Sequence, residues 1–134
     1  MKKNKNKILV VDDDASLREI YSTALRTMGG YEVFEAVNGA EGLMKAEKEV
    51  PDLILLDILM PVMDGLTMLE RLRESEDERL KKMPVLLLTN LSANQEETIK
   101  RVAQTQPLYY MVKASFTVKD IVAKVKEFLP VAYK

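Results

Sequence analysis

The chain has 134 residues, enough for one compact domain and too few for two. Hydrophobic residues make up 47% and charged residues 31%, a globular balance, and the formal net charge of -1 gives no global electrostatic reason to expect nucleic acid or an anionic membrane as partner. With no cysteine and no histidine, disulfides, thiolate chemistry, thiolate or imidazole metal sites and histidine bases are all excluded. The one concentrated basic stretch, Lys2, Lys3, Lys5 and Lys7, reads as a solvated N-terminus. No apolar run approaches the roughly 18 residues of a membrane span, and the N-terminal lysines lead into three acids rather than a signal peptide, so no membrane insertion and a cytoplasmic location are expected.

Short apolar runs alternate with amphipathic stretches. Ile8 to Val11 reads as a buried strand ending on Asp12, Asp13 and Asp14. Leu17, Ile20, Tyr21, Ala24, Leu25 and Met28 then recur at helical spacing; Ser16 or Asp14 could cap this helix, and Gly29-Gly30 stops it. Residues 31–36 read as a second strand, and Ala40, Leu43, Met44 and Glu47 as a second helix stopping before Pro51. Leu53 to Leu56 is the most apolar run, placed like a strand buried on both faces, and it ends on Asp57. A third helix begins after Asp64-Gly65 with Leu66, Leu69 and Leu72, and its polar end, 73–82, is expected to run into a loop. Pro84 to Leu88 forms a fourth strand ending at Thr89, and 96–104 a polar fourth helix with Ile99, Val102 and Ala103 inward. Residues 108–112 form a fifth strand ending at Lys113, and Val118, Ile121, Val122, Val125, Phe128 and Leu129 line a final helix. Most of the eight methionines, Met28, Met44, Met68 and Met111 among them, fall at core-facing positions. Five such β-α units call for a doubly wound parallel sheet with right-handed crossovers, whose ligands bind beyond the carboxyl ends of the strands.

Those ends carry Asp12 and Asp13, Asp57, Thr89 and Lys113, so three carboxylates, a hydroxyl and an ammonium converge on one edge. Carboxylates this close repel each other unless a cation intervenes. Mg2+ suits a site with few protein carboxylates, several waters and room for a phosphate oxygen. A carboxylate beside Mg2+ and an ammonium is equipped to attack a phosphoryl group and become an aspartyl phosphate.

The segments 10–14 (VVDDD), 57–65 (DILMPVMDG), 88–89 (LT) and 110–113 (YMVK) together resemble the response-regulator receiver family of two-component signalling, over about residues 7 to 129. A strand-end Asp followed at these offsets by Met-Pro and Asp-Gly is the most specific part. The resemblance implies a flavodoxin-like (βα)5 fold with strand order 2-1-3-4-5. It implies a single, chemotaxis-regulator-like receiver spanning 1–134, with 1–6 and 130–134 as terminal extensions. It further implies that Asp57 accepts the phosphoryl group from a histidine kinase or histidine phosphotransfer protein. Mg2+ would be held by Asp12, Asp13, Asp57 and the backbone carbonyl of Leu59. Lys113 would pair with the phosphoryl oxygens, Thr89 would swing onto the new phosphate, and Tyr110 would turn inward behind it. The surface around the fourth predicted helix and fifth strand would then meet a downstream protein target, with no direct nucleic-acid contact and a monomer or weak homodimer as the working state. Asp14 is assigned to starting the first helix, and Arg18, Glu19 and Ser22 to docking the histidine-bearing partner.

Some positions depart from the family pattern. Ala114 stands where proline commonly follows the lysine, Asn90 where a very small residue follows the threonine, and the segment 104–107 lacks a glycine. Leu59 and Leu91, flanking the site, are apolar and cannot orient a hydrolytic water, which points to a long-lived phosphoryl state. Two other readings stay open: a non-phosphorylated interaction module that keeps the pocket, and a Mg2+-dependent aspartyl-phosphate phosphohydrolase. The second generally needs another acid two residues after the nucleophile, where this chain has Leu59.

Overall fold

A computed structural model describes residues 5–90 and 96–130. The strands are β1 (Lys7–Val11), β2 (Glu32–Ala36), β3 (Leu53–Asp57), β4 (Val85–Thr89) and β5 (Tyr109–Val112). The helices are α1 (Ala15–Gly29), α2 (Gly39–Glu49), α3 (Gly65–Arg73), α4 (Glu78–Lys81), α5 (Glu96–Thr105) and α6 (Val118–Phe128), with a tight helical turn at Lys113–Ser115. All strand pairs are parallel and the order is β2-β1-β3-β4-β5. The chain leaves β1 for β2 on one side and returns to β3 on the other, so the crevice between β1 and β3 is the switch point of the sheet.

Strand side chains alternate between faces, and each face has its own core. Ile8, Val10, Leu53, Leu55, Leu86, Leu88 and Met111 meet Tyr21 and Leu25 of α1 and Ile121, Val122 and Val125 of α6. Leu9, Val11, Ile54, Leu56, Val85 and Leu87 meet Ala46 of α2 and Leu66, Met68, Leu69 and Leu72 of α3. Every residue of β3 and β4 is buried, which is why these two strands read as continuous apolar runs.

The polar residues between elements fix where each helix starts. Asp14 caps α1 by accepting from the backbone N–H of Ser16 and Leu17, as the sequence suggested for this third acid. Asn38 caps α2, Asp64 caps α3, and Thr117 with Asp120 forms a reciprocal capping box on α6. Gly30 ends α1 at φ 68, a left-handed turn that glycine adopts without a Cβ clash.

The helical surfaces depart from the sequence reading in several places. The polar stretch after α3 is not all loop, because Leu80 is buried and draws Glu78–Lys81 into the short helix α4. The helix predicted fourth is therefore α5. Its inward stripe is Thr98, Arg101, Val102 and Thr105, while Ile99 and Ala103 are exposed, because Arg101 turns toward acids on α3 and sets the rotation of the helix. Met68 and Met111 are buried as expected, but Met28 and Met44 stand on the solvent sides of α1 and α2 and are exposed. Ile20 is likewise exposed. On α1, Ser22 is buried and Arg18 half-buried, so of the three positions assigned to docking only Glu19 is exposed.

Candidate functional site

The acids come together because of strand order. Asp12 follows β1 and Asp57 ends β3, and the register Val11 to Leu56 places these neighbouring strand ends side by side. Lys113 follows β5 and reaches back across β4. Its Nζ lies 3.1 Å from Asp12 Oδ2 and 3.3 Å from Asp57 Oδ2. No peptide bond among the described residues is cis, so the Lys113–Ala114 bond is trans and the lysine makes these contacts from that geometry.

Asp12 is 1% exposed and Asp57 6%, so both carboxylates are largely out of water. Asp12 is well satisfied: its Oδ1 accepts from the Asp14 backbone N–H at 3.0 Å, and its Oδ2 accepts from Lys113. Asp57 is less so. Burial pushes its carboxyl up to about 6, Lys113 opposes this, and Asp12 reinforces it by like-charge repulsion. Burial also disfavours the Lys113 ammonium, but Asp57 and Asp12 together outweigh it and hold its pKa above the ordinary lysine value.

Asp13 is exposed at the mouth of the crevice. One carboxylate oxygen from each of Asp12, Asp13 and Asp57 lies within 4.8 Å of the others. An all-oxygen cluster of this size, containing a buried carboxylate that lacks enough positive charge, fits a small hard divalent cation such as Mg2+. Leu59 sits just beyond Asp57 with its side chain 53% exposed. Thr89 is fully buried at the end of β4, in register with Val112, so it stands beside the root of the Lys113 side chain. Tyr110 is half-buried against the core on the α2–α3 side, and burial pushes its phenol up. Leu91 lies outside the described residues.

The loop from Asp57 to α3 is held by close backbone contacts. Met63 N–H donates to Pro61 O at 2.7 Å around Val62, whose φ of 67 completes a γ-turn, a conformation costly for a β-branched residue. That turn presents Met63 O to the Gly39 N–H at 3.0 Å, joining the loop to the start of α2. Gly65 N–H donates to Ile58 O at 2.8 Å, and a Cβ at Gly65 would lie 2.1 Å from Asp57 O. Only glycine fits against the carbonyl of Asp57. Gly65→Ala is expected to lower stability by about 2–3 kcal/mol or more, because the clash is with backbone that cannot move aside cheaply. Urea unfolding checks this; an unchanged midpoint would show that the loop has slack.

Residues 8–126 match the family described as the response regulator receiver domain. The chain belongs to that family. Among relatives, this receiver is 39% identical over 131 residues to "Probable transcriptional regulator ycf27" of Pyropia yezoensis, covering 96% of this chain and 49% of that protein. It is 37% identical over 123 residues to "DNA-binding dual master transcriptional regulator RpaA" of Synechocystis sp., covering 92% of this chain and 48% of that one. The chain thus spans about half the length of the curated relatives it matches. Among solved structures, the receiver aligns with the chemotaxis protein CheY4 of Vibrio cholerae at 31% identity and TM-score 0.81, covering 94% of this chain and 100% of that one. It aligns with a CheY-like response regulator receiver domain protein of Methanospirillum hungatei JF-1 at 29% identity and TM-score 0.82, covering 94% of each.

The fold expected from the resemblance, including its strand order, is the fold observed. Among the residues assigned to the site, Asp12, Asp57 and Lys113 form one ion network, Asp13 completes the acid group, and Thr89 and Tyr110 stand on the neighbouring strands. Two supporting side chains were missed. Arg18 NH1 donates to Asp12 O at 2.8 Å while its Nε donates to Glu35 at 3.1 Å, tying β1, β2 and α1 together behind the acids. Tyr21 is buried close enough to the site to feel the charges of Lys113, Asp12 and Asp57. Nothing in the spacing of Arg18 from Glu35 signals the pair, and the spacing of Tyr21 marks it only as part of an apolar stripe. Among the described residues no helix is long and apolar enough to cross a membrane.

Proposed function

We propose that the chain is a phosphoacceptor switch, taking a phosphoryl group on Asp57 from the phosphohistidine of a partner kinase or phosphotransfer protein. The chain has no histidine, so none of its own residues can be the phosphohistidine donor. The observation that carries the reading is the Asp57 carboxylate itself: it is buried, bonded to Lys113, and flanked by Asp12 and Asp13.

In the transfer, an Asp57 carboxylate oxygen bonds to phosphorus as the bond from phosphorus to the donor imidazole nitrogen breaks, and the imidazole leaves with its bonding electron pair. With its pKa near 6, Asp57 is still mostly ionised at neutral pH, and it is a more basic nucleophile than an ordinary aspartate. Lys113 neutralises this carboxylate before transfer and turns to the phosphoryl oxygens after it, so its charge stays compensated throughout. Asp12, Asp13 and Asp57, with the backbone carbonyl of Leu59, would hold Mg2+, which offsets the negative charge of the acids and of the arriving phosphoryl oxygens. Thr89 donates its hydroxyl to the new phosphoryl group, and Tyr110, already half-buried, packs further inward as the end of β4 moves. The surface of α5 and β5 then engages a downstream protein. The domain turns over no separate substrate. Its near-neutral charge offers no electrostatic footprint for nucleic acid, so output from the domain itself is protein contact. The exposed apolar side chain of Leu59 offers no hydrogen bond to a hydrolytic water, which favours a long-lived phosphoryl state.

Incubation with acetyl phosphate and Mg2+, read by intact mass, tests the reading. The native chain is expected to gain one phosphoryl group, and Asp57→Asn none. No gain in the native chain would favour a receiver that acts by binding alone. Gain that survives in Asp57→Asn would remove the residue from its role, and continued phosphate release from unrelated monoesters would indicate a hydrolase.

A further inference from the structure

Helices α3 and α5 are fastened together by two arginines pointing in opposite directions. Arg73, at the end of α3, donates its Nε to Thr105 O at 2.7 Å and its NH2 to Gln106 O at 3.1 Å. Its NH1 donates to Met83 O at 2.8 Å and Lys81 O at 3.1 Å. One guanidinium thus anchors the C-terminal end of α5, including Gln106 at a left-handed φ of 49, to the lead-in of β4.

Arg101 reaches the other way, from the body of α5. Its Nε donates to Glu70 Oε2 at 3.0 Å and its NH2 to Glu70 Oε1 at 2.9 Å, a two-pronged pairing. The same NH2 lies 3.3 Å from Thr67 Oγ1 and 4.0 Å from Asp64 Oδ1. Asp64 caps α3 by accepting from Thr67 N–H at 2.7 Å, and the next residue, Gly65, is pressed against the carbonyl of Asp57. Contacts therefore run from α5 through the first turn of α3 to the backbone of the phosphoacceptor.

The apolar hold on α5 comes mainly from half-buried Val102, which packs against the core. Among its described residues only Thr105 is fully buried, and Ile99 is 49% exposed. The Arg101 and Glu70 side chains are 29% and 36% exposed, so this pair can open to water without stranding a buried charge. Arg73 has a different environment: its four carbonyl partners lose their donor if it leaves.

We propose that Arg101 is a positioning residue, a releasable latch on Glu70 and Thr67 that holds α5 against α3 in the resting state, with the Arg73 anchor as pivot. The latch sets how much of the phosphoryl group's interaction with the site is spent on moving α5. It rests on the phosphoacceptor reading above, and it makes the resting position of this helix a property of side chains outside the phosphoryl pocket.

Beryllofluoride with Mg2+, a non-covalent phosphoryl mimic, supplies the test on the full chain. Its apparent affinity and the hydrogen exchange of α5 amides are measured for the native protein, Arg101→Gln, Glu70→Gln, Arg101→Lys and the swapped pair Arg101→Glu with Glu70→Arg. Loss of the latch is expected to tighten beryllofluoride binding by roughly two- to fivefold and to speed exchange in α5. Arg101→Lys should fall between, and the swapped pair should return toward native. A purely structural role would lower the thermal midpoint while leaving affinity unchanged or weaker, and that result overturns the latch. If the native chain binds no beryllofluoride, the phosphoacceptor reading itself fails and the latch falls with it; if it binds with the same affinity as both single variants, the latch alone fails.

Discussion

Asp57→Asn is expected to abolish phosphoryl uptake and, in the absence of Mg2+, to make the fold more stable at neutral pH. The residue is 6% exposed and its carboxyl is raised from 3.8 to about 6, with burial as the main cause, Lys113 opposing it and the charge of Asp12 adding to it. A carboxyl raised on folding binds its proton more tightly in the native state than in the unfolded one. Its ionisation therefore weakens the fold: the penalty is absent below about pH 4, grows through the interval between the two values, and is complete above about pH 6. A difference of this size corresponds to about 2–3 kcal/mol, or a rise of roughly 6–12 °C in the thermal midpoint of a domain this long. The neutral amide keeps the shape and removes the charge, while Lys113 retains Asp12 as its partner. Thermal melts in EDTA from pH 4 to pH 8 should show the two proteins converging at the acid end, separating between pH 4 and pH 6 and fully apart above it, with Mg2+ narrowing the gap by stabilising the native chain more than the variant. A variant less stable than native at pH 8 without Mg2+ would mean that the Asp57–Lys113 bond outweighs the burial it requires.

This tension explains why so much of the site was legible before the fold was known. Buried strands of an α/β sheet are written as unbroken apolar runs, so a charged residue ending such a run stands out. Asp12, Asp57, Thr89 and Lys113 each follow such a run or close one, and parallel pairing then puts them on one edge. The helical surfaces were harder. A stripe of apolar residues can be assigned inward by spacing, but α5 is turned by Arg101, a charged residue whose partner lies 31 positions away in Glu70. That pairing moved Ile99 and Ala103 outward, and no local pattern announces it. The family resemblance places Ser22 outward for docking, yet it lies on the buried side of α1 with no hydrogen-bond partner for its Oγ. Arg18 braces the backbone carbonyl of Asp12, a contact that its place on α1 does not announce. For α5 the deciding contact is long-range and polar, the kind that periodicity does not encode.

The second large effect should come from the other half of the ion network. Lys113 joins two carboxylates whose side chains are 2% and 8% exposed, and its own side chain is 9% exposed. Replacing it by methionine preserves much of the stem's packing and removes the only cation bonded to either acid side chain among the described residues. Breaking a buried pair from one side commonly costs on the order of 3–5 kcal/mol, because the remaining charge is left without compensation. Here two like charges remain, so Lys113→Met should lower the urea midpoint in EDTA at pH 7.5 more than any surface lysine does. Lysine opposes the rise in the Asp57 pKa, so its loss should drive that carboxyl further up, and the deficit should shrink as acid protonates Asp57. Two further measurements separate this account from a simple packing defect. In an Asp57→Asn background the same substitution should cost less, since one of the stranded charges is gone, with a coupling of roughly 1–3 kcal/mol. Added Mg2+ should recover more stability in Lys113→Met than in the native chain, because the cluster of Asp12, Asp13 and Asp57 then depends on the ion alone for positive charge. Equal costs in the two backgrounds, with no extra response to Mg2+, would show that Lys113 acts through its stem and that the acids tolerate each other unaided.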